Sequence, residues 1–159
     1  MMAYPASRSG VITVHAASAD GKPCASNPFA ELGNSLSILG KNVEAAWIRD
    51  EVADNSAALR RMTGTSVATP IAAGVVSLLL ELAMLDVPGD LGTEATLRRM
   101  LPMLKKYDGM MDLLMSMAVR TQGGDYHNIV PWNVLNPSKS LADITKYVEW
   151  VLGRRFGTP

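Results

Sequence analysis

Residues 67–80 form a run of side chains that are apolar at nearly every position, and this run limits the folds open to the chain. A helix that is apolar on every side has to be buried in the middle of its domain. Pro70 fits the first turn of such a helix, where its missing N–H costs nothing, and Thr65 or Ser66 can serve as the N-cap. Gly74 interrupts the run, which is shorter than the about 20 residues that span a bilayer. We therefore predict a buried central helix that begins near Ser66, and no membrane anchor.

Size and charge narrow the class of protein further. The chain has 159 residues, with 15 Lys and Arg, 15 Asp and Glu, and a formal net charge of zero. A chain of this length can bury one hydrophobic core. Because the chain has no excess of basic residues to attract phosphate backbones or anionic lipids, we expect neither a nucleic acid nor a membrane as a partner.

The cysteine content also excludes some scaffolds. Cys24 is the only cysteine, so neither an intramolecular disulfide nor a zinc site built from several cysteines can form. We expect no cofactor and no metal site. A lone cysteine without disulfides favours an intracellular setting.

The amino-terminal half is typical of short strands. The β-branched residues 11–14 predict a first, doubly buried strand. Residues 24–55 are rich in Ser, Asn, Gly and Pro, and their short apolar pieces at 36–39 and 43–48 predict further short strands joined by loops. Residues 54–65 are polar and basic and predict a connector that leads to the central helix.

The carboxyl-terminal half is typical of helices, and the pattern predicts no strand after the central helix. Residues 109–117 are rich in methionine, which fills gaps in a core. Capping residues and glycines give two predicted helices: one from Thr93, as the N-cap, to about Lys106, and a last amphipathic helix capped by Ser138 or Ser140 and ended by Gly153. The fold class predicted from the whole pattern is α/β.

Seven residues at the start of the central helix carry the chemistry: Gly64-Thr65-Ser66-Val67-Ala68-Thr69-Pro70. Gly64 lets the backbone turn without a Cβ clash. Ser66 projects at the helix N-terminus, where unpaired N–H groups and the positive end of the dipole favour a developing oxyanion. Ala68 is small enough to pack on the strands. The segment resembles G-T-S-x-A-[ST]-P, the nucleophile signature of the subtilases, which are subtilisin-like serine peptidases.

The resemblance implies a fold, an activity and a set of site residues. Ser66 would be the catalytic nucleophile, and Gly64 and Thr65 would form the nucleophile and oxyanion loop. Tyr4, Pro5 and Ala6 look like the family's Y-P-A segment, which borders the specificity pocket. The implied partner is a peptide or protein substrate.

In domain terms, the resemblance implies a partial subtilisin-like parallel sheet with a buried central helix. Residues 1–86 would be the carboxyl-terminal part of a subtilase catalytic domain. Residues 87–159 would be a helical extension packed on it.

A serine hydroxyl needs an imidazole to take its proton and a carboxylate to orient that imidazole. In subtilases the histidine lies in an H-G-T motif and the aspartate in a D-[ST]-G motif, both upstream of Y-P-A. The asparagine of the oxyanion hole also lies upstream of Y-P-A. Neither the H-G-T nor the D-[ST]-G motif occurs in this chain. Of the two histidines, His15 is expected to lie at the core edge or in a loop, and His127, beside Asp125, lacks the helix-start context of the base.

We therefore expect a serine endopeptidase by family that is inactive as an isolated chain. One alternative is a non-catalytic interaction module that retains a degenerate subtilase core and uses its C-terminal helices against a partner. Another is a helical regulatory domain unrelated to proteolysis, in which the seven-residue match would be coincidental.

Overall fold

The computed structural model describes residue 6 and residues 8–30, 35–46, 59–86, 90–121 and 125–157. Tyr4 and Pro5, two of the predicted site residues, lie outside this part of the chain. The strands are β1 (Val14–Ala17), β2 (Ser35–Leu39), β3 (Val43–Ala46), β4 (Leu59–Met62), β5 (Ala118–Arg120) and β6 (Tyr126–Ile129). The helices are α1 (Thr65–Leu82), α2 (Leu91–Leu104), α3 (Tyr107–Ser116) and α4 (Leu141–Phe156).

Three parallel strands form most of the main sheet. β1 pairs with β2 from Val14 opposite Leu36 to Ala17 opposite Leu39, and β2 pairs with β6 in the same direction. β5 adds to β6 in the antiparallel direction, which gives the order β1-β2-β6-β5. β3 and β4 form a separate antiparallel ribbon. The mostly parallel sheet and its helices confirm the predicted α/β class.

Helix α1 lies against β1 and β2 by one face. Its buried residues are Val67, Ala68, Ala72, Val75 and Leu79. The opposite face is exposed and includes Ser66, Gly74 and Leu78. The prediction that this helix is buried on all sides is therefore wrong, because the described strands cover it from one side. By length and composition alone α1 could also cross a membrane, a test that core helices pass as well.

Small residues bring α1 close to the sheet. Ala16 on β1 and Ala68 on α1 are fully buried, and Gly40 directly follows β2. A Cβ atom at Gly40 would lie 2.8 Å from the Cβ of Ala16 and 2.9 Å from the Cβ of Ala68. A side chain at this position would therefore push the helix away from the strands.

Helices α2, α3 and α4 pack on one another and share one hydrophobic core with α1 and the sheet. Buried leucines from all three contribute to it, among them Leu97, Leu114 and Leu152. The methionines of the 100–117 region lie in this core, as the sequence predicts: the buried ones are Met100, Met110, Met111 and Met117.

Strand boundaries differ from the predicted ones where pairing with a distant strand decides them. β1 begins at Val14 instead of residue 11, because the ladder to β2 starts there and Val11 is exposed. β4 forms within the segment predicted to be a polar connector. Its arginines are exposed because the β3–β4 ribbon faces solvent, and Arg61 forms an ion pair with Glu44 across the ribbon at 3.7 Å. β5 and β6 form where the local pattern predicts no strand.

Helix ends differ by a few residues from the predicted ones. Gly64, and neither Thr65 nor Ser66, is the N-cap of α1. Asp90 caps α2 because its carboxylate accepts a hydrogen bond from the Thr93 N–H at 3.0 Å, which moves Thr93 into the first turn.

The last helix agrees at its start and differs at its end. Of the two predicted N-caps, Ser138 and Ser140, it is Ser140 that caps α4, in a capping box with Asp143. α4 continues past Gly153 to Phe156, where Arg155 forms ion pairs with Asp112 and Asp108 on α3 and so holds the last turn in place.

The close approach at Gly40 can be tested by adding one methyl group. We expect Gly40→Ala to lower the free energy of unfolding by about 1–3 kcal/mol, because the added methyl group would overlap the buried side chains of Ala16 and Ala68. Urea denaturation followed by circular dichroism measures this. Gly74→Ala on the exposed face of α1 is the control, since its Cβ would meet no described atom within 4 Å. There we expect a gain of about 0.5–1 kcal/mol. Equal stability of Gly40→Ala and the native chain would contradict the packing.

The capping box of α4 predicts a pH-dependent effect. The Ser140 hydroxyl donates a hydrogen bond to the Asp143 carboxylate at 2.6 Å and so holds the pKa of that carboxyl below its ordinary value of 3.8. A depressed pKa contributes stability above the ordinary pKa, and this contribution is lost as the pH falls through the folded-state pKa.

We expect Ser140→Ala to destabilise the protein by about 1 kcal/mol at neutral pH through loss of the N-cap. The difference from the native chain should shrink in acid, where the Asp143 carboxyl becomes protonated. Thermal unfolding at a series of pH values measures it. A difference that grows as the pH falls would contradict the assignment.

Candidate active site

The main chain before Ser66 is fixed to the end of the parallel sheet by two backbone hydrogen bonds. The Gly64 N–H donates to the Gly40 carbonyl at 2.8 Å, and the Gly40 N–H donates to the Ala17 carbonyl at 2.8 Å. Gly40 and Ala17 lie at the carboxyl ends of β2 and β1. α1 therefore begins at the edge of the sheet where open parallel α/β folds bind their ligands.

The first turn of α1 contains the backbone N–H groups that lie closest to Ser66. The N–H groups of Val67 and Ala68 both donate to the Gly64 carbonyl, at 3.0 and 3.2 Å. The preceding N–H groups, of Thr65 and Ser66, are the first of the helix and have no partner in an earlier turn. No acidic residue lies in this first turn. The positive end of the helix dipole is therefore available to a developing negative charge beside Ser66.

Ser66 itself is exposed, and its hydroxyl forms no hydrogen bond with any residue that the structure describes. Gly64 lies directly beside it, with φ at 148°, in the region that favours glycine. A Cβ at Gly64 would lie 3.4 Å from the Ser66 Oγ. Glycine at this position thus permits the turn into α1 and leaves the hydroxyl accessible.

Neither histidine is placed to act as the base for Ser66. His15 precedes Ala16 on β1, and since successive side chains alternate across a sheet, it lies on the face opposite α1. Its ring is 4% exposed and meets Tyr126 edge-on, with 5.2 Å between the ring centroids. His127 on β6 pairs with Leu36 on β2. Leu36 precedes Gly40 by four residues, a separation of about 13 Å along a strand, so His127 lies far from the end of the sheet where α1 begins.

The predicted substrate wall is only partly within the described chain. Ala6 is half-buried, and its carbonyl accepts a hydrogen bond from the Thr13 hydroxyl at 3.2 Å, just before β1. Tyr4 and Pro5 lie outside the described residues. The role of this segment in substrate binding stays a prediction.

The structure adds residues that sequence reasoning missed. One of them is Gly40, the carbonyl of which accepts the hydrogen bond from Gly64 and the small size of which permits the close approach of Ala68. In the sequence it could have been found as the glycine that directly follows the short apolar piece at residues 36–39. Asn42 adopts φ of 56°, and its N–H donates to the Thr63 hydroxyl at 3.0 Å, which ties the β3–β4 ribbon to the chain entering the site. Within the described ranges no group of three or more His, Cys, Asp or Glu side chains is placed to hold a metal ion.

An exposed serine hydroxyl lies at the amino end of α1, beside the carboxyl ends of two parallel strands, and is open to a ligand bound at that edge of the sheet. The sequence model of the subtilase family, peptidase S8, matches residues 1–122. The chain therefore belongs to the subtilase family, the members of which are serine peptidases. No curated protein and no solved structure gives a significant match.

The family match has a bearing on the predicted domain boundary. It includes the seven residues from Gly64 to Pro70 and continues past residue 86 through α2, α3 and β5. β6 and α4 lie beyond the matched range. The division at residue 86 stays a prediction.

Gly64 gives a direct test of the site's backbone. We expect Gly64→Ala to destabilise the chain by about 1–3 kcal/mol, because alanine is strained at this φ and its Cβ would contact the Ser66 Oγ. Urea unfolding measures the loss. Gly92→Ala in the first turn of α2 is the matched control, since its Cβ would meet Asp90 at an ordinary distance of 3.6 Å. If both substitutions had the same effect, Gly64 would not be required for the turn.

Proposed function

We propose that Ser66 is the nucleophile of a serine endopeptidase. In this reaction a base removes the hydroxyl proton, and the Oγ forms a bond to the scissile carbonyl carbon. The C–N bond then breaks, the amine product leaves with a proton, and water hydrolyses the acyl-enzyme. The single observation that carries the proposal is the exposed Ser66 hydroxyl at a helix N-terminus in a chain of the subtilase family.

The surrounding residues have supporting roles in this proposal. The Ser66 N–H would donate one hydrogen bond to the oxyanion of the tetrahedral intermediate, and the absence of an acidic residue in the first turn favours that charge. Gly64, the N-cap of α1, and Thr65, its first residue, would present the nucleophile from the helix start and not from a loop. Tyr4, Pro5 and Ala6 would border the substrate on the side of β1.

We further propose that these 159 residues alone do not hydrolyse peptides measurably. A general base contributes on the order of 10²–10⁴-fold to such a reaction. Both histidines are held in the sheet away from Ser66, and the chain contains neither an H-G-T nor a D-[ST]-G motif. In this proposal the base, the acid and the second oxyanion donor come from polypeptide that carries those motifs.

A non-catalytic interaction module is the second candidate function. The observation in its favour is that α1, the sheet and α2 to α4 share one continuous hydrophobic core within the described residues. Such a core supports a binding surface without any reaction at Ser66.

A fluorophosphonate probe, which labels activated serine nucleophiles, tests the proposal. We expect no labelling and no peptide hydrolysis by the 159-residue chain. Joined behind a subtilase segment that carries D-[ST]-G and H-G-T, the chain should be labelled at Ser66 and should cleave a peptide substrate. Ser66→Ala should abolish both signals.

Ser77→Ala is the control in the same joined protein, because Ser77 is also exposed on α1 but donates its hydrogen bond to the Ala73 carbonyl. It should keep full labelling. Labelling that survives Ser66→Ala would contradict the assignment of the nucleophile, and Ser66-dependent hydrolysis by the isolated chain would contradict its proposed inactivity. A folded joined protein without any labelling would favour the interaction module.

A further inference from the structure

A concave surface lies between α3 and α4, on elements that take no part in the Ser66 site. It encloses about 510 Å³, and its floor and walls include Met115 and Asp112 on α3 and Trp150, Val151 and Arg154 on α4. We call it the α3–α4 groove. Its volume falls in the range of about 300–1,000 Å³ of ligand-binding clefts.

The walls of the α3–α4 groove are held in place by contacts between the two helices. The Tyr147 hydroxyl donates to the Ser116 carbonyl at 3.1 Å near one end. At the other end the Arg155 guanidinium forms a two-pronged ion pair with the Asp112 carboxylate. Leu114 on α3 and Leu152 on α4 are fully buried in the core that the two helices share. The groove is therefore preformed, so a ligand would lose little free energy in ordering it.

Trp150 gives the groove an exposed apolar surface. Its side chain is 56% exposed, and the Tyr147 ring lies 5.9 Å from it. The Arg154 guanidinium stacks over the Trp150 ring, 5.0 Å from its centroid. Tryptophan, arginine, tyrosine and methionine are the residues enriched at the centres of protein-binding surfaces.

The charges of the groove select the chemistry of a partner. Arg155 is neutralised by Asp112 and Asp108, whereas Arg154 forms no ion pair with any carboxylate in the described chain. The guanidinium of Arg154 is planar and can bind a carboxylate through two parallel hydrogen bonds. A partner that complements the groove therefore carries a carboxylate next to an apolar side chain.

The geometry favours a peptide over a membrane or a nucleic acid. An interfacial membrane helix inserts its apolar face into lipid, and the apolar face of α4, with Val148, Val151 and Leu152, is already buried in the protein core. A nucleic acid needs several cations for its row of phosphates, whereas Arg154 is the lining cation that forms no ion pair with a carboxylate of the described chain. We infer that the α3–α4 groove binds an acidic peptide segment, with a carboxylate on Arg154 and an apolar side chain against Trp150 and Met115.

Fluorescence polarisation with the full 159-residue chain tests this inference. The probe is a short fluorescein-labelled peptide of alternating glutamate and leucine, and the matched control is the same peptide with lysine in place of glutamate. We expect the acidic probe to bind with a dissociation constant below about 1 mM and to weaken as salt is added. The lysine peptide should not bind.

Variants place the binding in the groove. Arg154→Glu reverses the charge, and Trp150→Ala removes the apolar surface, and each should weaken binding about tenfold or more. Lys146→Glu is the matched control, because Lys146 is exposed on the same helix but does not line the groove. It should change binding by less than about twofold. Circular dichroism of each variant verifies that it is folded.

Three outcomes would overturn the inference. One is failure of the acidic probe to bind the native chain, and another is unchanged binding after Arg154→Glu. The third is binding of phosphatidylserine vesicles without binding of the acidic peptide, which would identify a membrane as the partner. None of these measurements depends on Ser66, so they separate failure of the groove from failure of the proposed nucleophile.

Discussion

The position of Ser66 depends on how closely α1 approaches the sheet. Gly40 has no side chain, and its carbonyl accepts the Gly64 N–H while Ala16 and Ala68 close over it. One residue thus sets both the height of the helix above β1 and β2 and the place where the helix begins. Because Ser66 is the second residue of that helix, its hydroxyl is aligned with the carboxyl ends of the parallel strands. A bulkier residue at position 40 would separate the helix from the strands and move Ser66 with it.

The start of α1 supplies groups that can stabilise an oxyanion, but no described histidine lies beside it to remove a proton. Backbone N–H groups and the helix dipole can stabilise an oxyanion without any further side chain, and the Ser66 hydroxyl is open to solvent. Proton removal is different, since it needs an imidazole within hydrogen-bond reach. His15 is held on the other face of the sheet by its neighbours in β1, and His127 pairs near the start of β2. The sheet therefore keeps both imidazoles away from the Ser66 hydroxyl.

The sequence predicts features that local chemistry decides and misses features that distant contacts decide. The seven residues from Gly64 to Pro70 predict the start of α1 to within one residue, because the turn at Gly64 and the proline in the first turn constrain the backbone locally. The N-cap of α4 is narrowed to Ser138 or Ser140 for the same reason, and Ser140 is the one that caps it. The start of β1 is missed, since pairing with β2 begins at Val14 and no property of residue 11 shows this. The sequence does not predict β4, because a ribbon that faces solvent can contain arginines in place of the apolar residues typical of a strand. Nor does it predict the exposed face of α1, because an apolar pattern does not show how many elements pack against the helix.

The α3–α4 groove lies across the limit of the family match. Asp112 and Met115, on one wall, fall within the residues that match the subtilase family, whereas Trp150 and Arg154, on the other, lie beyond residue 122. The family match therefore extends over the α3 wall and ends before the exposed tryptophan and the arginine stacked on it. An exposed aromatic ring of this size adds nothing to the core, which Val148, Val151 and Leu152 already fill from the same helix. Its position beside an arginine without an ion pair in the described chain is instead the arrangement that a carboxylate-bearing partner would complement.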